Sequence, residues 1–599
     1  MPSYQAPVRD TLFILNEVIG LEKYQNLDGF SEAAPDLVAA ILGEAAKFVE
    51  EVVAPLNQVG DHEGCVRHAD GAVTTPKGFK QAYDQYCEAG WGSLSADPAY
   101  GGQGLPHVVG MAFEEFMIGA NTAFSMYPGL TQGAVAAITA VGSDAQKQQY
   151  LPNMISGKWT GTMNLTEPHC GTDLGLLKTK AVPQDDGSYK ITGTKIFISS
   201  GEHDLAENII HLVLAKMPDS PDNVKGISLF IVPKFLVNED GSLGARNGVS
   251  CGSIEEKMGI HGNSTCLLNY DEATGYLIGE KEKGLRAMFI MMNAARLAVG
   301  LQGLGVSEVA YQNAVTYARE RIQGRALSGP ADPDAKADPI IVHPDVRRML
   351  MTIKAFNEGA RALALWGALQ VDLSHRAETE EERELADDLI GLLTPVIKAF
   401  FTDRAFENTV MAQQVYGGHG YIREWGMEQF VRDARIAMIY EGANGVQALD
   451  LVGRKLAKNG GRALRAYLAV LTDFIAANKD DEAMQGFIAP LGKAVEDLQA
   501  ATMWLMQNAM AKPDNAGAAS MPYLNIMGYV ALGHMWAQIA KVATSALADG
   551  AEDRVFYETK LKTAAFYFSH LLPATRLERK RVEAGAEPVM ALDAEAFLA

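Results

Sequence analysis

The chain has 599 residues, 48% of them hydrophobic and 21% charged, and a formal net charge of -21. That length exceeds a single hydrophobic core and calls for several domains, while the negative balance argues against nonspecific nucleic-acid binding, which needs clustered cations. Five scattered cysteines (Cys65, Cys87, Cys170, Cys251, Cys266) without a CxxC pair argue against a zinc site or a disulfide scaffold, so no metal is expected and a cytoplasmic location fits. The opening Met1-Pro2-Ser3-Tyr4-Gln5-Ala6-Pro7 lacks the basic-then-apolar pattern of a secretory signal. No run of about 18 apolar residues is seen, so no membrane span is expected.

The first 150 or so residues read as helical. Leu37, Val38, Ile41, Leu42, Ala45, Phe48, Val49, Val52 and Val53 recur at helical spacing between Pro35-Asp36 and Pro55. A glycine-rich break at Tyr100–Pro106 precedes a second helix from about Val108. From about Leu165 to Tyr270 the texture becomes short strands: 178–182, 189–191, 195–199, 209–215, 227–232 and 265–269, with hairpin chemistry at Asp185-Asp186-Gly187. Short strands without intervening helices predict a small antiparallel barrel or sandwich.

Helix returns at Gly284, with Leu285, Met288, Phe289, Met292, Ala295, Val299 and Val306 on one stripe and Arg296 on or beside it. A buried guanidinium there needs a carboxylate or phosphate; a snorkelling one at the stripe's edge does not. Gly300-x-x-Gly303-x-Gly305 lies inside this helix and predicts close helix packing rather than phosphate binding. The loop Gln323–Pro344 is expected to be exposed, and the use of Arg325 in it is open. Helices over about 346–375 and 380–415 follow, then the break at Gln414–Gly420. After Gly460-Gly461 comes a helical tail with stripes at Leu464, Leu468, Leu471, Ile475 and at Met484, Phe487, Leu491, Val495, Leu498.

No GxxxxGK[ST], HExxH or strand-to-helix GxGxxG is present, which disfavours a P-loop, a zinc protease and a Rossmann dehydrogenase. The acid singled out is Glu441, between Ile439-Tyr440 and Gly442. A carboxylate held dry by apolar neighbours gains proton affinity and can act as a general base; a Glu-Gly pair can equally be the end of a helix.

Three segments occur together: Met163-Asn164-Leu165-Thr166-Glu167-Pro168-His169-Cys170-Gly171-Thr172-Asp173 with Gly193–Gly201 about 20 residues on; Tyr317–Arg325; and Gln414-Val415-Tyr416-Gly417-Gly418-His419-Gly420 with Arg432–Arg435 and Tyr440-Glu441-Gly442. In this order they resemble the acyl-CoA dehydrogenase family over about residues 35–455. The resemblance implies a mostly α fold with a β-barrel domain: a helical domain (1–161), a β-barrel (162–282), a four-helix bundle (283–460) and a C-terminal helical extension (461–599), with FAD between barrel and bundle. It implies flavin contacts from Met163, Leu165, Thr166, Phe197 and Ser199, and a grip on the FAD pyrophosphate and adenosine by Arg321 and Gln323. Gln414, Gly417 and Gly418 would reach FAD from a neighbouring subunit, making the protein at least a homodimer.

Glu441 then matches the base that removes the α-proton of an acyl-CoA while the β-hydrogen leaves as hydride. Tyr440 and Gly442 flank the acyl group, Asn293 and Arg296 match positions near the pantetheine and the pocket floor, and Thr172 one near the CoA arm. Electrons would pass to an electron-transfer flavoprotein. The chain departs from the family's Glu-Gly-Thr-Ser-Gln, reading Glu441-Gly442-Ala443-Asn444-Gly445; Asn444 or a water is the candidate substitute for the lost FAD contacts. Within the family, the whole chain is most like bacterial 3-methylmercaptopropionyl-CoA dehydrogenases, with medium- and long-chain fatty acyl-CoA dehydrogenases as the alternative. Two further readings are a flavin oxidase or monooxygenase, and a non-catalytic assembly protein on the same fold; both tolerate loss of the glutamate, which is present here.

Overall fold

The computed structural model describes residues 2–599 and forms two compact units. One comprises the chain up to Gly43 together with Pro106–Glu115 and Val299–Ala599; the other comprises Glu44–Leu105 and Phe116–Ala298. The long helix Gly284–Glu320 belongs by its first turns to the second unit and from Val299 to the first.

The second unit is built on one seven-stranded sheet. Thr265–Ile278 pairs with Val249–Ile254, Tyr189–Ser199 and Ile227–Pro233; the last pairs with Asn208–Lys216, which meets Lys180–Pro183 at Lys216, and Lys180–Pro183 pairs back on Tyr189–Ser199. The ring so closed is the expected barrel. Its pairing is not wholly antiparallel, because Trp159–Asn164 runs parallel to Asn208–Lys216, from Trp159↔Asn208 to Asn164↔Val213. A parallel pair needs a long crossover, and here residues 165–207, themselves partly strand, supply it instead of a helix. The hairpin falls as predicted, with Pro183 opposite Tyr189 and Gly187 at φ 83°. Asn208–Lys216 and Ile227–Pro233 are buried along their whole length, matching their unbroken apolar runs. The helix Thr122–Val141 packs directly on Trp159–Asn164: a Cβ on Gly161 would lie 2.5 Å from that of Ala134.

In the first unit, Pro344–Arg376 and Glu380–Val415 are the two long predicted helices. Gly300 and Gly303 do serve close packing, since a Cβ at Gly300 would come within 2.7 Å of Ile397 and one at Gly303 within 3.1 Å of the Phe401 carbonyl. The predicted stripe on Gly284–Glu320 holds less well: Phe289 is exposed, and from Val299 to Ala310 nearly every residue is buried, so no single face describes the helix. This is also the one helix among the described residues long and apolar enough by length and composition to cross a bilayer, which the sequence alone did not predict. Over half of that apolar window (56%) is buried inside the protein, so its apolarity serves a core. The tail folds as five main helices, and Pro513–Ala548 is its centre: Trp536 donates to the Ala355 carbonyl (2.8 Å) and Gly528 sits against the Phe400 ring.

One charged cluster lies inside this unit. Arg361, with its side chain 2% exposed, donates to Glu115 (2.7 Å), Asp10 (2.5 Å) and Glu308 (3.1 Å). Lys560 bonds Asp10 and Glu358 (2.9 Å). Burial pushes the Glu115 carboxyl up to about 7, whereas the charges of Lys560 and Arg361 overcome burial and hold Asp10 down at about 2.

Candidate active site

The helix Met427–Ile436 ends well before Glu441, so the Glu-Gly pair is not its cap. Glu441 instead occupies a tight turn at φ 55°, a left-handed conformation that a glutamate adopts only when its surroundings force it, and Gly442 follows at φ 83°. The Glu441 side chain is half-buried. The neighbouring Tyr440 hydroxyl donates to the Gln302 amide oxygen, and burial together with the charge of Glu441 raises its proton affinity. The turn is held from behind. Lys398, fully buried, donates to the Gly442 carbonyl (2.9 Å) and to Asn444 Oδ1 (2.8 Å), and Gln447 donates to the carbonyls of Glu441 (3.2 Å) and Gly442 (3.4 Å). Asn444 is therefore no substitute FAD ligand. It is buried, and its amide faces inward to Ala399, Thr402 and Asp403.

Two further groups of predicted residues lie in the same unit. Arg321 and Gln323 are exposed on a short clamp: Ile322 bridges Pro339, Gln323 N–H donates to the Asp338 carbonyl (2.9 Å) and Asp338 N–H to that of Gly324 (2.9 Å). The buried Asp338 carboxylate organises the loop by accepting from the backbone of Ala326, Ala331 and Asp332 and from Arg325, and these donors pull it down to about 2. That settles Arg325, which is spent inside the loop. Gln414, Gly417 and Gly418 are exposed at the end of Glu380–Val415. An aromatic stack fixes the loop that carries them, with Tyr317 on Tyr416 (4.1 Å between centroids) and His419 on Trp425 (4.4 Å), tied by Tyr317 Oη to His419 Nδ1 (2.9 Å).

The remaining predicted residues lie in the second unit. Ile196 N–H donates to the Thr166 carbonyl (2.9 Å), setting Met163, Leu165 and Thr166 beside the strand that carries Phe197 and Ser199. That strand bulges between Lys195 and Ile198, and the extra residue puts Phe197 at φ 59° with 59% of its surface exposed. Behind the strip, Lys195, fully buried, donates to the Leu165 carbonyl (3.0 Å) and Glu167 (2.9 Å); Glu167 also accepts from Lys178 and Thr179. Burial brings the Lys195 ammonium down to about 8. Glu167, His169 and Cys170 are near enough to share a cation, but those donors already occupy the Glu167 oxygens. Thr172 and Asn293 are exposed, and Arg296 reaches Asn293 (3.3 Å) over the Phe289 ring (5.7 Å), the edge-of-stripe alternative. Sequence reasoning missed Lys195, Lys398 and Gln302. Lys398 carried a signal, a lysine inside the apolar run Val396–Phe401, where an unpaired charge is rarely buried; Lys195, after Thr192-Gly193-Thr194, carried none.

Each unit, taken by itself, offers polar groups of the kind that suit part of a dinucleotide. The Thr166 and Ser199 hydroxyls, the Arg321 guanidinium and the Gln323 and Gln414 amides have no side-chain partner among the described residues, and a Cβ at Gly417 or Gly418 would meet nothing within 4 Å. Comparison with known proteins decides the family. Four family models match in order: the acyl-CoA dehydrogenase N-terminal domain (38–158), middle domain (162–273) and C-terminal domain (282–456), then the acetyl-CoA dehydrogenase C-terminal-like domain (467–593). A 3-methylmercaptopropionyl-CoA dehydrogenase of Ruegeria pomeroyi is 45% identical, covering 97% of this chain and 98% of its own. The chain belongs to the acyl-CoA dehydrogenase family. It is an FAD-dependent oxidoreductase acting on an acyl-CoA thioester. The broad-specificity linear acyl-CoA dehydrogenase FadE5 of Mycobacterium tuberculosis is 36% identical over the full length of both chains. In fold, the enzyme is similar to Caenorhabditis elegans ACDH-11 in complex with C11-CoA (TM-score 0.78, 20% identity, 98% and 95% of the two chains covered). It is also similar to a Bacillus anthracis acyl-CoA dehydrogenase complexed with FAD (TM-score 0.74, 21% identity, 91% and 88% covered).

Proposed function

We propose that the enzyme converts 3-methylmercaptopropionyl-CoA to methylthioacryloyl-CoA with Glu441 as its base. The observation that carries the base assignment is the forced left-handed turn at Glu441, since backbone strain of this kind is kept where a side chain must be aimed. The substrate rests on the 45% identity, over nearly the whole of both chains, to the Ruegeria pomeroyi enzyme.

Glu441 takes the α-proton onto a carboxylate oxygen as the C–H pair moves into the new α,β double bond. The acidity of that proton depends on polarising the thioester carbonyl, for which a backbone N–H of the turn would serve as donor. Bound FAD supplies the hydride acceptor for the β-hydrogen. Thr166, Ser199 and the Phe197 ring would hold its flavin, Arg321 and Gln323 its pyrophosphate and adenosine. Gln414, Gly417 and Gly418 would serve the FAD of a partner subunit, in a cytoplasmic homodimer that hands its electrons to an electron-transfer flavoprotein. The exposure of Tyr421 (85%) and Ile422 beside that loop supports a protein neighbour there.

Anaerobic mixing of the yellow enzyme with 3-methylmercaptopropionyl-, butanoyl-, octanoyl- and palmitoyl-CoA, following flavin absorbance, tests the reading. Fast bleaching by the thioether and butanoyl esters but not by palmitoyl-CoA is the expected result. Bleaching chiefly by long chains would make long-chain fatty acyl-CoA the substrate, and bleaching by every straight-chain ester is what the likeness to the broad-specificity linear acyl-CoA dehydrogenase FadE5 favours.

A further inference from the structure

We infer that Lys398 and Asn444 are positioning residues: a brace inside the bundle that locks the Glu441–Gly442 turn and so aims the base. The inference rests on the reading of Glu441 as that base.

Lys398 lies on the helix Glu380–Val415 within Val396-Ile397-Lys398-Ala399-Phe400-Phe401, with none of its surface exposed. An ammonium in such a run needs acceptors. Two of those it has belong to the turn or to the residue that ends it, the Gly442 carbonyl at 2.9 Å and Asn444 Oδ1 at 2.8 Å. Asn444 in turn is anchored to the same helix through its amide group, to Ala399 O (3.2 Å), Thr402 Oγ1 (3.0 Å) and Asp403 Oδ1 (2.6 Å), while its backbone N–H closes the turn onto the Met438 carbonyl (3.1 Å). Gln447 completes the brace on the other side, and its amide nitrogen would lie 2.3 Å from a Cβ at Gly442, so a side chain there would displace it. Both carbonyl oxygens of the Glu441–Gly442 pair are thus tied from inside the protein. The Glu441 carbonyl fixes the plane of the peptide that follows Glu441, and the Gly442 carbonyl the plane of the next one, so the network restrains ψ at Glu441 and both dihedrals of Gly442, and with them how the turn presents the Glu441 side chain. The brace also accounts for the asparagine in Glu-Gly-Ala-Asn-Gly: Asn444 stands where its amide turns inward onto the helix.

Single-turnover bleaching of the holoenzyme by butanoyl-CoA and 3-methylmercaptopropionyl-CoA, over a range of thioester concentrations, separates the limiting rate from half-saturation. Lys398→Met is expected to keep its FAD and a half-saturation within about 3-fold of wild type, while its limiting rate falls about 100-fold, the size of loss that a misplacement of about 1 Å produces. Gln447→Leu, which spares the buried cation, is expected to lose about 10-fold in limiting rate and carries the test if Lys398→Met does not fold. Limiting rates within about 3-fold of wild type in the variants that fold would overturn the brace, as would a rate loss that only tracks loss of FAD. Bleaching of wild type alongside unchanged variants would leave the dehydrogenase reading standing; absence of bleaching in wild type itself would overturn that reading and the brace with it.

Discussion

Each compact unit contains a fully buried lysine tied to a backbone carbonyl beside a proposed site residue, and the two differ in what else they hold. Lys195 in the barrel steadies Leu165 next to Thr166 and is matched by the Glu167 carboxylate at 2.9 Å. Lys398 in the bundle lies on the Gly442 carbonyl and the Asn444 amide oxygen, one step from Glu441. The first is half of an ion pair, so its loss strands a buried charge and should appear as lost stability. The second holds the backbone of the proposed base, so its loss should appear as lost rate. Similar burial and similar hydrogen bonds thus point to different measurements.

The comparison is sharpened first at the base. Glu441→Gln should preserve the turn and the bound FAD while removing the proposed proton acceptor, and flavin reduction in stopped flow should fall by about 10³-fold or more; near-normal reduction would remove Glu441 from the mechanism. Next comes Lys195→Met, expected to cost about 3–5 kcal/mol in urea unfolding because Glu167 is left uncompensated, with much of that recovered in Lys195→Met/Glu167→Gln. If the single variant instead kept wild-type stability and lost rate, the contrast between the two lysines would collapse. The smallest effect is expected from Gly418→Val. A side chain there meets nothing within 4 Å in one chain, so folding should be unaffected; a shared site predicts FAD affinity weakened about 10-fold by equilibrium dialysis, and a stable monomer holding FAD fully would break the idea.

What the sequence disclosed is what local pattern controls. The hairpin at Asp185–Gly187 and the close helix packing at Gly300 and Gly303 follow from residue types a few positions apart, and the three motifs named the family. What stayed hidden depends on pairing across the chain. The parallel partnership of Trp159–Asn164 with Asn208–Lys216 leaves no local mark, nor does the switch of surroundings along Gly284–Glu320 that exposes Phe289. Asn444 was legible as a departure from the family pattern, but its direction was not, because the residues that turn it inward are some 40 positions away.

The Arg361 cluster bears on how the chain is made. Asp10 leaves the ribosome ahead of Arg361 and 550 positions ahead of Lys560. Until that lysine emerges, Asp10 and Glu358 lack one of their counter-charges inside a forming core. Domains generally fold as synthesis proceeds, but this unit closes its charge balance only once Lys560 has been made, so a chain halted before that lysine would hold the proposed base Glu441 and still lack this counter-charge.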